Sequence, residues 1–234
     1  MRKPLLLVPI AILIIASRLF AQELPPATCS VLPLWTAASN ACISRPTGYI
    51  CNGGSAPVVE PVGPVSNALG PIGALVEIDA VDFIRTPPIA ADMSTVGIAW
   101  LRSGGSLNYT ALQLGDVSMR DVSPADFPAW TSFQLETADG ASPCGTAPVS
   151  ALVVQSAFGV PARIVVNGVS LALNGTVMIV TNPTQTRFIA LSGQHSLIAF
   201  SAERTLYMGQ EVNVERNPAN PYAPSNQPSE AFPF

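Results

Sequence analysis

A single histidine, His195, stands in the whole chain, and only 11% of the residues are charged. Any Ser-His-Asp arrangement would have to be built on that imidazole, and no serine lies in a G-x-S-x-G elbow that could join it. His195 follows Ser192-Gly193 at the start of an apolar run, which reads as an exposed strand position. Close cysteine pairs of the C-x-x-C kind, which zinc sites favour, are missing too. Gly53-Gly54 has no lysine beside it and forms no phosphate-cradling loop. Asp116, Asp121 and Asp126 recur at five, a spacing that neither an EF-hand nor a repeat-type calcium site uses. Glu77, Asp79 and Asp82 read as solvated acids rather than a glycosidase pair. These absences predict a chain with no cofactor, no metal site and no catalytic constellation.

A basic cluster is also lacking after the first residues. Met1-Arg2-Lys3, the apolar run Leu5 to Ala16 and Ser17-Arg18-Leu19-Phe20-Ala21 have the order of a secretory signal peptide, cut after Ala21. The apolar stretch is shorter than the roughly 20 residues of a membrane span, so none is expected in the mature chain. Losing Arg2, Lys3 and Arg18 removes three positive charges and takes the formal charge from −4 to −7. An acidic surface argues against nucleic acid and anionic membranes as partners. The expected location is secreted or in the cell envelope.

Four cysteines remain, Cys29, Cys42, Cys51 and Cys144, and an even number in an exported chain reads as two disulfides. Residues 30–41 read as a short helix. Such a helix separates Cys29 from Cys42 by about 18 Å at 1.5 Å per residue. Bridged Cα atoms need about 4.4–6.8 Å, which disfavours that pair. Both other connectivities stay open, and both tie the front of the chain to Cys144.

Most of the rest reads as short strands. Asn52 to Gly73 is dense in Gly and Pro and reads as an extended connection on the surface. Ala74 to Ile84 fits a strand or a short helix. Val96 to Arg102, Tyr109 to Met119 and Trp130 to Thr137 follow as strands, with Trp130, Ser132, Gln134 and Glu136 on one face and Phe133 and Leu135 on the other. Arg163 to Val214 is a run of apolar segments cut by glycine. Asn167-Gly168 and Asn174-Gly175 both read as tight hairpin turns, because a type I′ turn needs positive φ. Alternation points Ile164, Val166, Leu171, Leu173, Val177, Ile179, Ile189, Leu191, Leu197 and Val212 inward. Arg216 to Phe234, with five prolines, reads as a disordered or polyproline-like tail.

Val166-Asn167-Gly168-Val169-Ser170-Leu171, Leu173-Asn174-Gly175-Thr176-Val177, Ile189-Ala190-Leu191-Ser192-Gly193 and Leu206-Tyr207-Met208-Gly209-Gln210-Glu211-Val212 together resemble the β-repeat core of FecR-like domains. The resemblance covers residues 150–215 and implies a wound β-module. The expected fold is mostly β: a sandwich or jelly-roll-like body carrying that module and a small disulfide-stapled front. The expected organisation is a signal peptide at 1–21, a cysteine-containing segment at 22–73, a middle β-region at 74–149, the module at 150–215 and the tail at 216–234. The function expected from these features is a non-catalytic extracytoplasmic module that binds a protein or glycan or associates with the envelope. A second reading is a hydrolase of envelope or extracellular polysaccharide. A third, implied by the resemblance alone, is an extracytoplasmic signalling component.

Overall fold

The computed structural model describes residues 31–54, 58–61, 67–90, 97–105, 107–138, 150–157 and 159–234. The signal segment, Cys29 and Cys144 lie outside the described residues. Among the described residues one α-helix, α1 (Val31–Cys42), is followed almost entirely by strands. These are β1 (Tyr49–Asn52), β2 (Val58–Pro61), β3 (Asn67–Ala68), β4 (Leu75–Glu77), β5 (Val81–Thr86), β6 (Ile98–Arg102), β7 (Tyr109–Leu114), β8 (Val117–Asp121) and β9 (Ser132–Thr137). The second half holds β10 (Ala151–Ser156), β11 (Ala162–Val166), β12 (Val169–Leu173), β13 (Gly175–Thr181), β14 (Gln185–Ala199), β15 (Ala202–Tyr207), β16 (Gln210–Asn217), β17 (Asn220–Pro224) and β18 (Phe232–Pro233). Leu75 to Thr86 combines both sequence readings, two strands around a single 3-10 turn at Ile78–Ala80.

Two sheets face each other. The first runs β4-β1-β6-β7-β10-β13-β14-β16-β18. The second runs β3-β2-β5-β8-β9-β11-β12-β14-β15. Among these pairings only β9 with β11 is parallel. The fold is therefore mostly β and sandwich-like, as expected, and nearly closes into a barrel because β14 belongs to both sheets. Its first part pairs with β13 and β16, and Gln194 onward pairs with β12 and β15. A second link joins the sheets where β9 and β13 end. The Thr137 N–H donates to Thr181 Oγ1 (2.8 Å) and the Thr181 N–H to Thr137 Oγ1 (2.8 Å).

Side-chain alternation fills the space between the sheets. Ile50, Leu101, Ala111, Leu152, Val154, Val177, Ile179 and Phe188 from the first sheet meet Ile84, Met119, Phe133, Leu135, Ile164, Leu171, Leu173 and Leu197 from the second. On the outer side of the first sheet, Ala38 and Cys42 of α1 pack with Cys51, Ile98, Trp100 and Leu112. A disulfide joins Cys42 to Cys51, with Cα atoms 5.8 Å apart. This is one of the two connectivities the helix left open. Cys29 and Cys144 are then the remaining cysteines. Non-reducing peptide mapping is expected to find them joined, and a free Cys144 thiol would overturn that. The loop closed would be roughly a hundred residues, about 4–5 kcal/mol in the chain-entropy model.

Several sequence readings change. Residues 216–234 are not a disordered tail: β17 pairs with β16, β18 extends the first sheet, and Pro228 is buried. Side-chain hydrogen bonding explains part of this, since Arg216 Nε donates to the Pro221 carbonyl (2.6 Å) and Nη1 to that of Asn182 (2.6 Å). The boundary at 149/150 falls inside one continuous sheet, because β10 pairs with β7. Asn167-Gly168 is the expected turn, with φ of 49° and 76°. Asn174-Gly175 is not a hairpin: β12 continues to pair with β14, while β13 pairs with β10 and β14. In β14 it is Phe188 and Ala190 that join the main core. Ile189 is buried outside it, and Leu191, skipped in the pairing of Thr176 and Val177 with Ser192 and Ala190, is 43% exposed.

Asn167 does more than turn the chain. Its side-chain oxygen accepts from the Leu135 N–H (2.8 Å) and its Nδ2 donates to the Leu135 carbonyl (3.0 Å). The amide thereby continues the short parallel ladder of β9 and β11 by one step.

Candidate functional site

Two concave regions carry the polar chemistry. The larger, about 670 Å³, lies where β14 crosses between the sheets and is lined by Arg102, Asn108, Thr110, Gln155, Ser156, Asn174-Gly175 and Ser192-Gly193, among others. His195 sits beside this crossing, 2% exposed. The expectation of an exposed strand residue is thus corrected. Its Nδ1 accepts from the Asn174 N–H (3.2 Å), and its Nε2 faces the Ser192 carbonyl (2.8 Å). A ring that accepts at Nδ1 carries its proton on Nε2 and donates there, so both nitrogens are committed to main chain. The Ser156 hydroxyl is likewise engaged, accepting from the Gly175 N–H (2.9 Å). The cluster braces the crossing and leaves no free nucleophile–base pair there.

Burial lowers the His195 pKa below its ordinary value, partly opposed by the Ser192 carbonyl. Protonation would also set an Nδ1–H against the Asn174 N–H. With the folded value below the unfolded one, the unfolded chain binds more protons between the two. Stability from this group is therefore complete above about pH 6.5 and is lost as pH falls from there towards the folded value. Urea unfolding is expected to show a larger loss between about pH 7.5 and pH 5 for the wild type than for His195→Gln. Equal losses would mean that His195 does not titrate with folding.

The second region is a groove of about 410 Å³ on the outer face of the second sheet. Register builds it. Across β5, β8 and β9, Phe83 stands opposite Arg120, which is opposite Gln134. In the next row Arg85 stands opposite Ser118, which is opposite Glu136. The small Ser118 between two long side chains makes the depression. Arg85 forks onto Asp116, Nε to Oδ1 at 3.0 Å and Nη2 to Oδ2 at 3.1 Å. That bond is the main reason its pKa is raised. The Arg120 guanidinium lies 4.7 Å over the Phe83 ring and pairs with Asp82 at 3.6 Å. From the folded C-terminal segment, the Tyr222 hydroxyl donates to Glu136 Oε1 (2.9 Å). Burial first and Glu136 second push its pKa up. Arg216 Nη2 closes the row at 3.8 Å from Glu136.

Sequence reasoning missed this groove. Alternation placed Ser132, Gln134 and Glu136 on one face, but nothing local set β5 and β8 beside them or brought Tyr222 over from a segment read as disordered. Of the acids singled out in the sequence, Asp116 lines it and Asp82 reaches its Arg120 from outside the lining; Asp79 and Glu77 are exposed elsewhere. Among the described residues, no three or more His, Cys, Asp or Glu side chains gather as a metal cage would, and no helix is long and apolar enough to cross a membrane.

Fold and groove together define a disulfide-bonded β-sandwich that displays a polar, ion-paired groove on an open sheet face. Compared with protein-family models, with characterised proteins and with solved structures, the chain finds no match.

Proposed function

We propose that the chain is exported by way of residues 1–21 and acts outside the cytoplasm as a non-catalytic binding module. The observation that carries this reading is the groove: its arginines and acids are held by one another, Arg85 by Asp116, Arg120 by Asp82 and Phe83, and Glu136 by Tyr222. Side chains fixed in this way suit recognition, because little freedom is lost when a ligand engages them. The disulfide adds support for export, since such bonds persist in oxidising compartments. The FecR-like reading of 150–215 agrees with a wound β-module, and we keep it as part of the proposal.

A specific observation favours hydrolysis as the second reading: Asp116 and Glu136 line one groove. One experiment separates the two. Mature protein is mixed with insoluble cellulose, chitin and purified peptidoglycan sacculi, and both co-sedimentation and released reducing ends are measured. Co-sedimentation without new reducing ends is the expected result. Release that disappears in Asp116→Asn would replace binding by hydrolysis, and failure to sediment with any polymer would remove the binding reading.

A further inference from the structure

We infer that the groove between Phe83, Arg120 and Tyr222 is a subsite for a neutral polysaccharide; this rests on the binding reading above. Charge balance comes first. Arg85, Arg120 and Arg216 are matched by Asp116, Asp82 and Glu136, so the groove offers no surplus cation to a phosphate, sulfate or uronate. A cationic ligand is equally disfavoured, because each carboxylate already has a partner.

Donor capacity comes next. A guanidinium has five N–H donors, and each carboxylate oxygen has more than one lone pair. Arg85 uses Nε and Nη2 on Asp116, which leaves Nη1 and the second Nη2 hydrogen. Gln134 and Ser118 add neutral amide and hydroxyl groups at the floor, where they line the adjoining part of the groove with Glu136 and Tyr222. Planar donors and acceptors, locked in adjacent rows, match the closely spaced hydroxyls of a sugar ring, each of which both donates and accepts. The Tyr222 ring supplies apolar surface beside them for the C–H face of such a ring, while Phe83 is already stacked under Arg120.

Extent comes last. The groove continues past Glu136 and Thr137 into a second depression of about 380 Å³ lined by Asn182, Pro183, Arg216 and Pro221. Two depressions that share Glu136 and Thr137 suit a chain of sugar units better than a single one. The occupant assigned is thus a neutral glycan chain. A peptide laid on this face would meet no free strand edge there, since β5, β8 and β9 are each paired on both sides.

The test is electrophoresis of the mature protein through native gels containing dextran, glucomannan or xyloglucan, with polygalacturonate as the anionic counterpart. Retardation by at least one neutral polymer is expected, unchanged in about 0.5 M NaCl because no net charge is screened. Tyr222→Phe should weaken it about tenfold through one lost hydrogen bond. Ser118→Trp should abolish it by filling the floor at a half-buried strand position on the outer face, of a kind that accepts aromatic residues, with its unfolding midpoint unchanged. Gln155→Ala, in the other cavity, should leave it intact. Retardation by polygalacturonate alone, lost in salt, would overturn the assignment in favour of an anion site. Neutral retardation that survives Ser118→Trp would overturn the location while sparing the binding reading. No retardation in any neutral gel, together with no co-sedimentation with cellulose or chitin, would overturn the ligand class. If co-sedimentation with peptidoglycan sacculi persists in that case, the binding reading stands; if it fails too, both fall.

Discussion

Trp130→Ala is expected to cost about 3–5 kcal/mol, the range for removing a buried aromatic side chain. Trp130 is fully buried although it precedes the strand β9. Its indole N–H donates to the Ile78 carbonyl (3.2 Å), and its own carbonyl accepts from the Tyr109 hydroxyl (2.7 Å). One residue therefore ties the 3-10 turn after β4, the start of β7 and the approach to β9. Truncation opens a cavity and removes one of the two donors to the Ile78 carbonyl, which keeps only the Val81 N–H; one such hydrogen bond contributes about 0.5–1.5 kcal/mol. Trp130→Phe keeps much of the volume but not the donor, so it should fall between wild type and alanine. Denaturant midpoints measure both. Since folded domains have only about 5–15 kcal/mol to lose, an alanine variant with an unchanged midpoint would show that Trp130 does not anchor these three segments.

Trp130 also shows where the sequence stopped being legible. Alternation placed it on one face with Ser132, Gln134 and Glu136; those three share the outer face of β9, whereas Trp130 lies in the core. The chain is not extended at Trp130, however: its φ is +66°, an unfavourable value for a bulky residue that periodicity does not reveal. The strand-rich fold, the helix near residue 31 and the turn at Asn167 were readable because each depends on local pattern. The folded C-terminal segment was not, because its order comes from distant partners such as Asn182, Glu136 and the Asn167-Gly168 turn. At Gly168 an added Cβ would lie 2.8 Å from Pro224 Cδ, so the glycine makes room for that segment as well as turning the chain. The groove shares this origin: strand-to-strand register across β5, β8 and β9 assembles residues from four parts of the chain, and no short motif announces it.

The largest effect of all is expected at Gly193. Ser192-Gly193 reads locally as a turn, yet β14 runs straight through it for 15 residues. The glycine instead lets two stretches of main chain touch where β14 passes from one sheet to the other. A Cβ at Gly193 would lie 2.0 Å from the Asn174 carbonyl oxygen, and one at Gly175 would lie 2.4 Å from that of Ser192. Both residues have positive φ, +83° and +129°, so an L side chain is strained there before it meets any neighbour. The Asn174 carbonyl cannot retreat cheaply, because it accepts from the Gln194 N–H (3.2 Å), while the Asn174 N–H is held by His195. For Gly193→Ala the backbone conformation costs about 1–3 kcal/mol, and overpacking adds about 1–3 kcal/mol. Gly193→Val adds a branched side chain to the same clash and should leave the chain unfolded. His195→Ala removes the clamp but not the fit, so it should lower the midpoint by much less than either. Circular dichroism and urea midpoints of the three variants, compared under one condition, decide the order. If Gly193→Val folds as stably as His195→Ala, the close crossing at this corner is not what holds the two sheets in register.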